Sequence, residues 1–344
     1  MGAAIKIAPR LGIFKEGATM ARECTICGNS TDNKIHTVRE MMFGCRDEFE
    51  YIECSDCGCL QIADIPANLN KYYPEGYYSY SECSFSSNPI KHFLKKQRLK
   101  YCTTGKGVIG KIVTHIYGIP NIANLVKAAK IKFDSHILDV GCGAGRLLLN
   151  FREYGYRHLT GADPFISRDI FYKNGVRIYK KGLLELESDN KFDCIMLHHS
   201  FEHMHDPLSV FSSISARLKN DGVVVLRIPI VSSFAWQHYK TNWVQLDAPR
   251  HFFLHSLKSI ELLANQAGFG IENVEFDSDE FQFWGSEQYA VDISLNDDRS
   301  FSRNPKRSMF THEDIEKFRK RSAELNTLKM GDQAIFYIRK ISPA

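Results

Sequence analysis

The sequence predicts an α/β chain, a doubly wound sheet of parallel strands preceded by a small cysteine-bearing module. Three observations predict it. Apolar strand-like runs alternate with amphipathic helical segments from Ile131 onward. A glycine-rich turn, "ILDVGCGAGRLL", joins the first of those strands to the first helix. Eight of the ten cysteines lie at or before position 102, and four of them form two C-x-x-C pairs.

The 344 residues allow one large domain and a smaller module. A formal net charge of +4 permits an anionic small substrate and lies far from the balance of a dedicated nucleic-acid binder. No run approaches the roughly 20 apolar residues that a membrane span requires. Residues 1–22 are expected to be a flexible leader rather than a secretory signal, because Lys6, Pro9, Arg10 and Lys15 break the apolar stretches. A cytoplasmic chain is expected, in which cysteines serve as thiols or metal ligands.

The pairs "CTICGN" and "CSDCGC" place Cys24, Cys27, Cys54 and Cys57 in two knuckles, each followed by a glycine suited to a positive φ. Two such turns complete a tetrahedral thiolate site for structural zinc. A redox dithiol needs only one pair, and a hydrolytic zinc would keep an open position with other ligands. The expected unit is a zinc ribbon over residues 23–66, with Cys45 and Cys59 as spares. Residues 67–130 are expected to form an aromatic linker and helical lid. The aromatics of "KYYPEGYYSY", Tyr77 and Tyr78 among them, either pack the ribbon on the larger domain or line a substrate cleft. The basic helix around Lys91–Lys100 reads as a solvated face, with nucleic acid or a membrane surface as alternatives.

In the third unit, residues 131–344, "HILDV", "HLTGADP", "VRIYK", "FDCIMLHHS" and "VVVLRIPI" are successive strands. Asp206-Pro207 starts a helix with Leu208, Phe211, Ile214 and Leu218 facing inward, and Ser256 caps another. Two last strands, "GIENVEFDS" and "QAIFYIRKI", are predicted to pair antiparallel at the sheet edge. An insertion near 279–330 lies between them and includes a capped helix from Thr311.

The glycine turn excludes two common ligand loops. A dinucleotide fingerprint needs glycine where Arg146 stands, and a P-loop needs a lysine that is absent. The pattern is D-x-G-x-G-x-G over Asp139, Gly141, Gly143 and Gly145. Asp163 ends the second strand where an acid would accept ribose hydroxyls. The ligand is expected to carry a ribose without requiring a pyrophosphate.

These residues resemble class I S-adenosylmethionine (SAM)-dependent methyltransferases, through "LDVGCGAG", "GADP", "FDCIMLHHSFEH" and "LKNDGVVVLRIP" in order. The resemblance implies a Rossmann-like seven-stranded sheet with an antiparallel last strand. It places Asp139, Gly141 and Gly143 at the methionine part of SAM and Asp163 at its ribose, with Cys142, Gly145 and Pro164 also in the cofactor site. Gly182 and Leu183 would lie beside the adenine, and His198 and His199 at the sulfonium. Together with the cysteine module, "NWVQLDAPRHFFLHS" resembles methyltransferases of nucleotide-linked sugars and surface glycans.

Methyl transfer from an activated sulfonium requires alignment and a proton acceptor. His251 is the first candidate base, with His199, His203 and Glu202 next, and Arg250 is expected to grip an anionic group. The expected partner is an anionic small molecule, a nucleotide sugar or glycan precursor. An RNA methyltransferase using the ribbon and basic helix, or a non-catalytic binding protein on the same scaffold, are the alternatives. Mild charge disfavours nucleic acid, and the intact glycines and acid disfavour the last.

Overall fold

The chain is described by a computed structural model covering residues 23–73, 88–187 and 191–341. Three strands, β1 (Lys34–Arg39), β2 (Glu48–Glu53) and β3 (Leu60–Ile62), form an antiparallel meander between and after the cysteine knuckles. Helices α1 (Pro89–Thr104), α2 (Val108–Tyr117) and α3 (Ala123–Ala129) follow.

The α/β unit then runs β4 (His136–Val140), α4 (Arg146–Glu153), β5 (His158–Ala162), β6 (Ile170–Phe171), β7 (Arg177–Tyr179) and β8 (Phe192–His198). It continues with α5 (Pro207–Arg217), β9 (Leu218–Pro229), α6 (Phe234–Tyr239), β10 (Phe253–Leu254), α7 (Leu257–Gln266) and β11 (Phe269–Phe276). Helices α8 (Phe281–Ala290) and α9 (His312–Thr327) and strand β12 (Gln333–Lys340) complete it.

The large sheet has the order β11-β12-β9-β8-β4-β5-β7-β6. Its centre is parallel, and β12 lies antiparallel between β11 and β9. The doubly wound sheet with a reversed last strand is therefore present, and the two-residue β6 adds an eighth, antiparallel edge to the seven expected strands. Strands β4 and β8 read as nearly unbroken apolar runs because helices cover both faces. Side-chain caps begin the helices where polar residues precede apolar ones. Asp206 accepts from Ser209 N at 3.0 Å, Ser256 from Ser259 N at 2.9 Å and Thr311 from Asp314 N at 3.2 Å. On α5, Val210, Phe211 and Ile214 are buried, whereas Leu208 is exposed, one turn-position off the inward face expected for it.

The ribbon is completed by the larger unit. Its sheet has the order β1-β2-β3-β10, with Phe253 opposite Gln61 and Leu254 opposite Leu60. Tyr51 Oη donates to His251 O at 2.7 Å across the same junction. The guanidinium of Arg250, 0 % exposed, donates to Glu40 Oε1 at 2.9 Å, to Asp247 at 2.7 and 3.0 Å, and to Tyr72 O at 3.2 Å. Arg250 thus carries no free edge for an anionic ligand, which corrects the substrate role expected of it. The donors of its fork are spent on the fold.

Helix α1 stands against the C-terminal end of α4, where Lys95 pairs with Glu153, and its Lys96 ammonium sits over the ring of Phe133 before β4. None of residues 88–130 lines the cavity described below, so the described helices of this segment are not a lid over it.

Removing one partner of a buried ion pair strands the other charge. Glu40→Ala is expected to lower unfolding free energy by about 3–5 kcal/mol in urea titrations. A change under about 1 kcal/mol would show that Arg250 re-pairs without it.

Candidate active site

The knuckle backbones close through Gly28 N to Cys24 O at 2.8 Å and Gly58 N to Cys54 O at 3.0 Å. This gathers the sulfurs of Cys24, Cys27, Cys54 and Cys57 within 4.8 Å of one another. Cys24 and Cys57 sulfurs are 3.5 Å apart, as are those of Cys27 and Cys54. A disulfide would bring them to about 2.05 Å. Zinc–sulfur bonds of about 2.3 Å in a tetrahedron place sulfurs about 3.8 Å apart, close to the spacing here. Asn29 Nδ2 and Cys57 N point at Cys54 Sγ, at 3.8 and 3.4 Å, in the manner of groups that orient a thiolate. Cys59 is buried outside this group, its sulfur 3.9 Å from His255 Nδ1, and Cys45 is exposed and separate from it.

A cavity of about 700 Å³ opens at the C-terminal ends of β4, β5 and β8. One side is formed by Val140 at the end of β4 and Gly141 after it, by Asp163, Pro164 and Phe165 after β5, and by Gly182 to Glu185 after β7. Gly141 has φ +72°, and a Cβ there would meet Ser200 Cβ at 2.3 Å, so only glycine lets the β4 loop lie against the β8 loop. Asp163 accepts from Gly143 N at 2.8 Å and from Phe165 N at 2.9 Å, which ties the two loops together. Burial raises its pKa against the pull of those bonds. Asp139, Cys142, Gly143 and Gly145 lie behind this wall rather than on it. Asp139 is buried, and burial together with the Asp163 carboxylate pushes it up to about 8.

The opposite side holds the histidines. Strand parity separates two of them: His199 faces the cavity, while His198 points away with a buried, unpartnered Nε2. His198 therefore does not reach the cavity as expected. His199, at φ +50°, accepts at Nε2 from Arg227 at 2.8 Å, which leaves its Nδ1 proton directed at Glu202 Oε1, 3.4 Å away. Glu202 is fully buried with no hydrogen-bond donor on either oxygen. Burial opposes its ionisation, but His199, His203 and His251 outweigh that and hold it near 2.

His203 and His251 form an edge-to-face pair with ring centroids 4.7 Å apart. His203 Nδ1 bonds Arg250 O and His251 Nδ1 bonds Gln245 O, both at 2.8 Å. Carbonyls only accept, so in the neutral form each ring carries its proton on Nδ1 and leaves Nε2 as the acceptor. Burial, and then His203, lower His251 to about 4 against the pull of Asp247 and Glu202. Glu202, His203 and His251 also bring one ligand atom each within 4.8 Å of one another.

Tyr73, Gln245 and Asp247 line the cavity from stretches singled out in the sequence, whereas Met42, Asp279, Phe281 and Leu295 carried no such signal. Met42 and Tyr73 come from the ribbon side, and Tyr73 stacks on Phe165 with centroids 6.3 Å apart. Gln245 and Asp247 belong to the loop before Arg250, whereas Asp279, Phe281 and Leu295 belong to the segment after β11. Tyr77 and Tyr78 lie outside the described residues.

Residues 119–274 match a family model described as a methyltransferase domain. That segment is a methyltransferase domain. Among curated proteins, the ubiquinone biosynthesis O-methyltransferase of Actinobacillus pleuropneumoniae is 36 % identical over 105 residues, 27 % of this chain and 44 % of that protein. The tRNA U34 carboxymethyltransferase of Dichelobacter nodosus is 24 % identical over 143 residues, 40 % of this chain and 46 % of that protein. The chain thus spans less than half the length of these curated relatives. A SAM-dependent methyltransferase structure from Archaeoglobus fulgidus superposes with a TM-score of 0.40 at 16 % identity, covering 67 % of this chain and 99 % of that one.

The methyltransferase domain buries three imidazoles in neutral form. Burial is the main cause for each: His198 and His255 are lowered to about 3 and His251 to about 4. In the unfolded chain all three take up a proton near pH 6.5. Their contribution is complete above that pH and is lost as pH falls toward 4, at about 1.4 kcal/mol per unit for each ring. Asp139, raised to about 8, changes stability in the opposite sense over the same range, so the test is a difference: denaturation at pH 7, 6 and 5 should show His198→Leu gaining on the wild type as pH falls. A constant difference between the two from pH 7 to 5 would contradict it.

Proposed function

We propose that the chain transfers a methyl group from SAM to a hydroxylated small molecule, a sugar linked to a nucleotide or a glycan intermediate. One observation carries this reading: Gly141 of the glycine loop and Asp163 share a single cavity with His203 and His251, whose Nδ1 atoms are tied to carbonyls beside the buried Glu202 carboxylate. Asp163 would hold the ribose, and Pro164 and Leu183 would flank the adenine. Asp139, kept largely neutral by burial, would ionise when a cationic group binds over the β4 loop.

When bound, SAM supplies a methyl group already activated on a sulfonium. The chain supplies position and a proton acceptor. His203 fits that second task better than His251, which burial makes a weak base at neutral pH. As the acceptor oxygen gains the methyl group, its proton would pass to His203 Nε2. Glu202 would then stabilise the imidazolium, and His251 would hold the ring in place. His199 is less suited, because its Nε2 already accepts from Arg227 and its Nδ1 faces Glu202 Oε1 at 3.4 Å.

The acceptor half of the cavity supports hydroxyl recognition more than anion recognition. Asp247, Asp279, Gln245 and Gln333 line it, and its arginine, Arg227, is already paired with Asp277 at 2.6 Å. Labelled SAM offered with nucleotide sugars, glycans, phenolic quinone precursors and RNA should label a sugar. His203→Gln should lower kcat by about 10²–10⁴-fold while leaving SAM binding intact. Label entering only RNA, or only a phenol, would remove the sugar from this reading.

We also propose zinc on Cys24, Cys27, Cys54 and Cys57, where it supplies a structural cross-link between the knuckles. Metal analysis should find one zinc per chain, lost on replacing Cys54 and Cys57 by serine. Unchanged zinc in that variant would refute the site.

A further inference from the structure

Helices α1 and α2 form a hairpin that lies outside the segment matching the methyltransferase family model. Gly110 holds the two helices together: a Cβ there would meet Gln97 O at 2.2 Å, so no side chain fits between them. Their shared face is therefore closed. The face left over is apolar. Val108, Ile112 and Ile116 recur at helical spacing along α2, flanked by Ile109 and Ile119, and these five are 76 %, 54 %, 64 %, 46 % and 66 % exposed.

The charge around that stripe has one sign. Residues 88–119 contain seven lysines and arginines and no aspartate or glutamate. Lys91, Lys100, Lys106 and Lys111 are exposed and pair with no carboxylate among the described residues. A solvated helix would not need five exposed aliphatic side chains. A protein partner would not by itself require uniform positive charge. An apolar stripe within a basic rim matches the interface of an anionic bilayer, where aliphatic groups enter the acyl boundary and ammonium groups meet phosphate.

We propose that the α1–α2 hairpin docks the chain on anionic phospholipid membranes. No helix among the described residues is long and apolar enough to cross a membrane, so the contact is peripheral. The hairpin leans on the C-terminal end of α4, whereas the cavity opens at the opposite ends of the strands. Docking therefore leaves the cavity mouth free.

The test is flotation of the full chain with vesicles of phosphatidylcholine alone or mixed with phosphatidylglycerol, at low and high salt. Binding is expected to need the anionic lipid, to weaken with salt, and to fall by about tenfold or more in Ile112→Asp/Ile116→Asp. Lys106→Glu/Lys111→Glu gives a second, surface-only variant expected to lose binding with the fold intact. Circular dichroism and SAM binding confirm folding of both. Equal binding to both vesicle types, or no binding to either, overturns the proposal. So does dimerisation of the wild type that the isoleucine variant abolishes, or RNA binding that needs the lysines but not the isoleucines.

Discussion

The buried guanidinium of Arg250 is the constraint on which the arrangement of the molecule depends. It joins Glu40 and the Tyr72 carbonyl on the ribbon side to Asp247 in the cavity wall, with no part of it exposed. A buried charge of this kind is tolerable only when every neighbour is correctly placed. Its backbone carbonyl orients His203. Glu40 in turn accepts from Phe43 N and Cys45 N, both at 2.9 Å, and so shapes the loop that carries Met42 to the cavity. Ribbon geometry and imidazole orientation are set by one cluster.

A polar chain extends from that cluster along the sheet ends. Gln333 Nε2 donates to Asp277, Asp277 accepts from Arg227, Arg227 donates to His199, and His199 faces Glu202. Its members come from β12, the end of β11, β9 and the end of β8. The reversed last strand thus contributes more than an edge: it helps orient groups on the acceptor side. Such a chain fixes the tautomer of His199, with Nε2 accepting from Arg227 and the proton on Nδ1 toward Glu202.

Periodicity made most of the fold legible. Strands such as "FDCIMLH" are too apolar to sit anywhere but the centre of a parallel sheet, and caps such as Asp206 and Thr311 mark helix starts by chemistry confined to a few residues. The glycine loop and Asp163 were legible for the same local reason. Parity within "LHHS" was not, because it turns on a strand end where His199 takes a left-handed backbone. Arg250 misled because a guanidinium beside a histidine reads the same whether its carboxylate partner is a ligand or Glu40, 210 residues away. Met42 reaches the cavity only through long-range packing, which leaves no local pattern, whereas Tyr73 comes from the tyrosine-dense stretch that offered a cleft as one of its two readings.

The fourth strand of the ribbon sheet has a consequence for how the chain is made. Phe253 and Leu254 lie about 190 residues beyond the strand they pair with. At about 5–20 residues per second, translation delivers them roughly 10–40 s after β3 emerges. The knuckles can close early, but β3 must wait with an open edge, the kind of surface that recruits wrong partners. Biosynthesis of this protein therefore has a vulnerable interval, which ends only when the loop bearing Arg250 and His251 leaves the ribosome and seals the ribbon.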